Sequence, residues 1–179
     1  MKSLRLSLQA GLAAAVLAAP LCAQAHVSFE NKEVKIGSTV KFVLVIPHGC
    51  TGSPTVALKV SVPPELTEVK PQPKPGWSLS TTIEEQRIAA AGSDLNGHGG
   101  HGADVREISW SGGKLEDTHF DEFIFRAKVR SSFTGSEIFV PVVQQCSAGA
   151  QRWIEVPLSG RSADDLTHPA PSVKIRSGS

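Results

Sequence analysis

Beyond residue 25 the apolar residues fall into short alternating runs, not helical periods. Val27 and Phe29 alternate with polar neighbours and stop at Glu30-Asn31; Val34 and Ile36 precede a turn at Gly37-Ser38. Residues 40–46 are apolar apart from Lys41 and end at Pro47-His48-Gly49. Val56, Leu58, Val60 and Val62 share one face of the next run, which Pro63-Pro64 closes. Residues 77–83 predict a strand with Trp77, Leu79 and Ile83 inward, and residues 105–110 another, turned by Gly112-Gly113. In residues 119–129 the inward set is Phe123, Phe125, Ala127 and Val129. Residues 137–145 are rich in β-branched side chains, and residues 152–156 follow a turn at Ala148-Gly149. Period-two runs with Gly and Pro punctuation predict an all-β, antiparallel β-sandwich, immunoglobulin- or cupredoxin-like in outline. No sustained 3.6-residue period marks a long helix.

The segments between these runs are of three kinds. Residues 70–76, Lys-Pro-Gln-Pro-Lys-Pro-Gly, read as a stiff extended connector, because each proline fixes φ and lacks a ladder donor. Residues 89–103 are glycine-rich and predict a loop, in which His98 and His101 read as solvated; ordering so many glycines around a metal is costly in entropy. The polar stretch from Ser159, with Pro169 and Pro171, reads as a tail over the surface, and His168 falls within it. The resulting division is a leader over 1–25, a sandwich over 26–160 and a C-terminal tail over 161–179.

The first 25 residues read as a secretory signal. Lys2 and Arg5 supply a positive start, residues 6–20 are largely apolar, and Ala23-Gln24-Ala25 is a small-residue cleavage site. Cleavage there makes His26 the first residue and places the product in the periplasm or another extracytoplasmic compartment. A terminal histidine offers two nitrogens, the α-amine and ring Nδ1, which close a chelate ring on one ion. Amine and imidazole nitrogen suit Cu(II) best among common divalent ions. Cys22, inside the leader, follows Ala19-Pro20-Leu21, a poor lipoprotein box; cleavage there instead would tie the His26 amine into a peptide bond.

Composition narrows the choices. Net charge is +1 over the full chain; without Lys2 and Arg5, 16 basic residues face 17 acidic ones. Such a balance gives no field to draw in nucleic acid or anionic lipid. Cys50 and Cys146 remain after the leader. An isolated pair in an exported protein predicts a disulfide, stabilising by roughly 2–4 kcal/mol; the rival use is a Cys–His metal site with His48. The only methionine is Met1, so with the cysteines paired no soft sulfur donor remains, and an oxidised ion such as Cu(II) is favoured.

The motifs along the chain resemble the YcnI-like family of exported, copper-associated bacterial β-sandwich domains. They are Ala-His-Val at 25–27, Pro-His-Gly-Cys-Thr-Gly-Ser-Pro-Thr at 47–55, Val-Lys-Pro-Gln-Pro-Lys-Pro-Gly-Trp at 69–77 and Ile-Ser-Trp-Ser-Gly-Gly at 108–113. Asp-Glu-Phe at 121–123, Pro-Val-Val-Gln-Gln-Cys at 141–146 and Trp-Ile-Glu at 153–155 complete the set. The resemblance implies a mono-histidine brace: His26 gives amine and Nδ1, Glu122 a carboxylate, and Trp153 packs beside the ion without ligating it.

Each assignment has a plainer competitor. Glu122 lies between Phe120 and Ile124 on its strand face and could reach water or pair with Arg126. Trp153 could be ordinary core, as Trp77 and Trp110 are expected to be. His48 reads as a turn residue, and His119 faces away from Glu122. The function this favours is Cu(II) binding for trafficking or homeostasis, in the company of copper chaperones or membrane copper importers. One alternative is a copper-dependent oxidative enzyme like the lytic polysaccharide monooxygenases. Those need a second histidine, none of which has an evident place, and the chain has no tyrosine, no G-x-S-x-G and no His-Glu-x-x-His. The other is an extracellular interaction module without metal.

Overall fold

The computed structural model describes residues 26–85 and 103–176. The leader with Cys22, and the loop histidines His98 and His101, lie outside the described residues. The strands are β1 (Ser28–Phe29), β2 (Glu33–Lys35), β3 (Thr39–Ile46), β4 (Thr55–Ser61), β5 (Leu66–Pro71), β6 (Ser78–Glu85), β7 (Ala103–Leu115), β8 (Asp121–Val129), β9 (Glu137–Phe139), β10 (Val142–Cys146), β11 (Ala150–Trp153) and β12 (Ser172–Arg176). Among the described residues, helix is confined to one 3-10 turn at Ala163–Asp165. A four-stranded sheet, β1-β3-β8-β5, faces a five-stranded one, β11-β10-β4-β7-β6, and a three-stranded sheet, β2-β12-β9, adjoins them. The pairing is antiparallel except between β12 and β2. This is the all-β sandwich the alternation predicts.

Alternation also decides what fills the interior. Phe29, Phe42, Leu44, Phe123 and Phe125 come from the first sheet, and Leu58, Val60, Ile108, Trp110 and Val142 from the second; all are at most 1% exposed. Phe42 stacks on Phe125 at 5.1 Å, and Phe123 meets Trp110 at 5.4 Å and Trp77 at 5.0 Å, both edge to face. Offset and edge-on contacts of this kind add to burial because the ring edges are positive and the faces negative. Cys50 and Cys146 form a disulfide with Cα atoms 6.1 Å apart, tying the turn after β3 to the end of β10. The bond also removes the Cys–His metal alternative at His48, since neither sulfur remains a thiolate.

Four local expectations change. Gly112-Gly113 does not turn the chain: β7 runs on to Leu115 with an irregular register against β4. Gly112 takes φ +77, and a Cβ on Gly113 would fall on the Trp77 indole, so the pair lets a strand bulge and an aromatic ring approach the backbone. Ile83 is 52% exposed although it pairs with Val105, which packs against the core, because it lies near the end of β6, the edge strand of its sheet. Residues 70–76 are not all connector: Lys70 and Pro71 pair with Arg126 and Phe125 as part of β5. The segment after residue 161 is not a surface tail throughout its described residues. Ser172–Arg176 enters the third sheet between β2 and β9 and buries Val173, its Val173-Lys174-Ile175 alternation being that of a strand.

Gly113→Ala pushes a methyl group into the Trp77 ring. Overpacking of this kind costs about 1–3 kcal/mol. Urea denaturation should show a lower midpoint with unchanged slope, whereas Gly52→Ala, with open space around it, moves the midpoint only through its positive φ.

Candidate functional site

β1 and β11 are edge strands of the two facing sheets. Their pairing determines where His26 goes. Ser28 and Phe29 pair with Val45 and Leu44, and burial of Val27 and Phe29 fixes that register. His26 therefore stands at the start of an edge strand, half-buried, and its ring meets Trp153 at 5.5 Å with the planes tilted by 55°. Trp153 ends β11 and is 5% exposed.

A buried polar network holds that indole. Trp153 Nε1 donates to Gln144 Oε1 at 3.1 Å. Gln144, 1% exposed, donates from Nε2 to Thr55 Oγ1 at 2.7 Å and to the His48 carbonyl at 2.8 Å. Thr55, fully buried, lies with Oγ1 3.6 Å from Cys146 Sγ. Unpaired, each of these groups would lose its hydration without return. Joined, they fix the Trp153 ring against the disulfide-bearing turn. Gln144 was not singled out in the sequence, although Val142, Gln144 and Cys146 alternate inward and so place an amide in the core.

The second histidine at Trp153 is His168, in the segment expected to be a surface tail. Its ring lies 5.3 Å from the indole, tilted by 56°. Its backbone is pinned by Glu155: His168 N–H donates to Glu155 Oε2 at 2.7 Å, and Glu155 N–H donates to the His168 carbonyl at 3.1 Å. Ala170 N–H then donates to the Glu155 carbonyl at 2.8 Å, and Pro169, Ala170 and Pro171 are buried. The sequence signal was the Pro169-Ala170-Pro171 stretch leading into an alternating strand.

Glu122 is placed differently. Ser28, Val45 and Glu122 form one row across the first sheet, on its outward face. Glu122 is thus two strands, roughly 10 Å, across from β1. It is exposed and so reaches water, and the neighbouring Phe120 is itself 69% exposed. Lys74 pairs with Asp121 at 2.7 Å and donates to the Glu122 carbonyl at 3.0 Å, making the wall of a shallow groove with Gln72 and Pro73. No ion pair joins Glu122 to Arg126. The structure brings His26 and Trp153 together, and leaves Glu122 on the same face at a distance.

The other described histidines, His48 and His119, are placed elsewhere. His48 contacts the Gly49 carbonyl and lies 3.8 Å from Asp117 Oδ1, which is buried with no hydrogen-bond partner. His119 is exposed ahead of β8. Among the described residues no three His, Cys, Asp or Glu groups converge as a ready metal cage. A terminal-histidine brace does not need one, because a single residue supplies two donors.

Gln144→Leu removes the partner of the buried Trp153 N–H and of the half-buried His48 carbonyl, and leaves the Thr55 hydroxyl only Cys146 Sγ. At about 1–3 kcal/mol for each group left unpaired, the variant should lose about 2 kcal/mol of stability or more. Chemical denaturation followed by tryptophan fluorescence measures it; a loss below about 1 kcal/mol would show that the network is not holding the indole.

Solved structures agree on architecture. An uncharacterized protein from Nocardia farcinica, described as having an immunoglobulin-like fold, superposes with a TM-score of 0.62 at 17% identity, covering 84% of this chain and 97% of that one. A cohesin module of a family 33 glycoside hydrolase from Clostridium perfringens aligns with a TM-score of 0.43 at 15% identity, over 86% of this chain and 97% of the module. The first likeness shows the fold; the second is too distant to add to it. No curated protein matches this chain. Residues 26–175 match the family described as a domain of unknown function, DUF1775, which takes in all of the sandwich, β12 up to Ile175 and both histidines at Trp153. The chain belongs to the DUF1775 family.

Proposed function

We propose that this protein is an exported Cu(II)-binding protein of copper trafficking or homeostasis, which holds its ion with a mono-histidine brace at His26. The observation that carries this reading is the contact between His26 and the buried Trp153. The residue that cleavage after Ala25 would free is also the one seated beside an indole locked in place. The match to DUF1775 begins at the same residue. The Cys50–Cys146 bond supports an oxidising compartment and leaves the ion nitrogen and oxygen donors.

In this reading the freed amine and Nδ1 of His26 bind the ion, and Glu122 supplies the carboxylate. Trp153 restricts the His26 ring and excludes water from one side. Glu122 shares the outward sheet face with the β1 terminus, which supports the assignment, and its two-strand separation makes it the member most open to test. The protein carries the ion between other copper proteins outside the cytoplasm, such as chaperones or membrane importers.

Protein beginning at His26 should bind one Cu(II) with nitrogen hyperfine structure in its electron paramagnetic resonance spectrum. One extra residue ahead of His26 converts the amine to an amide and should weaken binding roughly a hundredfold, equivalent to about 2.7 kcal/mol. Equal affinity of the two forms would defeat the brace. Glu122→Gln should weaken binding by about tenfold or more; an unchanged affinity assigns the oxygen donor to another carboxylate. Steady oxidation of polysaccharide with oxygen or peroxide would instead establish the enzyme alternative.

A further inference from the structure

We infer that the outward face of the first sheet docks an acidic protein, the one with which the ion is exchanged, through a row of three cations. Lys41, Arg126 and Lys70 stand opposite one another on β3, β8 and β5. All three are exposed. Adjacent strands lie about 4.8 Å apart, so three like charges fall within about 10 Å. Like charges directly opposite one another destabilise a sheet. Among the described residues, the three side chains make no ion pair or hydrogen bond. Glu30, whose N–H donates to the Val43 carbonyl, is not paired with Lys41. Glu68 is taken by Lys128 at 3.3 Å and Asp121 by Lys74 at 2.7 Å.

The backbone is distorted where the row is made. The β5–β8 register shifts between Thr67 and Lys70, and Glu68 there takes φ 54, a left-handed conformation unfavourable for a residue with a side chain. Thr67 pairs with Lys128, so an unbroken ladder would set Val69 opposite Arg126. The bulge sets Lys70 there instead, and Val69 packs against the core. Strain and repulsion thus meet at one place, and a partner's carboxylates would offset both. The rest of the face has the parts of a protein interface. Arg126 and Glu122 are four residues apart on β8, about 13 Å, so the row flanks the proposed ion site. Between them Ile124 lines the shallow groove with Gln72, Pro73 and the exposed Phe120 ring. An aromatic anchor in an apolar groove with charges at its rim suits a protein partner. An anionic bilayer fits less well, because the Asp121 and Glu122 carboxylates on the same groove would face its headgroups.

The inference rests on the copper reading only in making the partner a copper protein; the row itself needs no metal. Copper-free, nitrogen-15 labelled protein beginning at His26 is titrated with decaglutamate at low salt. The amide signals of Lys41, Lys70 and Arg126 should shift first, and salt should reverse the shifts. Lys41→Glu with Lys70→Glu should weaken binding by about tenfold or more, while the Cu(II) spectrum stays that of the parent. Lys70→Gln should raise the melting temperature by about 1–3 °C as repulsion is relieved; a lower value would make Lys70 a structural residue and overturn the inference. No binding of decaglutamate, or shifts centred on another face, would also overturn it. Binding to phosphatidylglycerol vesicles without binding to decaglutamate would make the face a membrane surface and exclude the protein partner. Failure of the parent to hold copper would sink the copper reading alone, since the titration is run without metal.

Discussion

A buried indole must give its N–H to something, and here the side-chain amide of Gln144 takes it. That bond governs the rest of the site. Gln144 is anchored in turn to Thr55 and to the backbone of the turn bearing Cys50, so the Trp153 ring inherits the rigidity of β4, β10 and the disulfide. An indole free to rotate would offer no defined surface. Held this way, it is a fixed wall at the edge of the sandwich, against which the start of β1 and the returning C-terminal segment each lay a histidine.

The fold was legible because period-two alternation is a strong signal where one face is buried. Val142, Gln144 and Cys146, or Phe123, Phe125 and Ala127, can be assigned to the interior from spacing alone. What spacing could not resolve was where a register slips. Gly112-Gly113 reads as a turn, but in the structure it is a bulge, because the cause of the irregularity, Trp77 against Gly113, is distant in sequence. Ile83 is exposed for another reason that spacing does not carry: β6 is an edge strand. Of the site, His26 and Trp153 were legible from the cleavage motif and the family resemblance. Gln144 and His168 were not, since their roles depend on long-range contacts: Gln144 with Thr55 and Trp153, His168 with Glu155 and Trp153.

The three tryptophans allow the central claim to be tested directly. Trp153 borders His26, Trp110 sits in the core with its N–H on the Gln72 carbonyl, and Trp77 packs on Phe123, one residue along β8 from Glu122. In nitrogen-15 labelled protein beginning at His26, substoichiometric Cu(II) should erase the Trp153 indole signal and the Gln144 side-chain amide first, leaving Trp77 and Trp110 sharp. Earlier broadening of Trp77, or equal broadening of all three, would place the ion elsewhere and contradict a copper site built on Trp153.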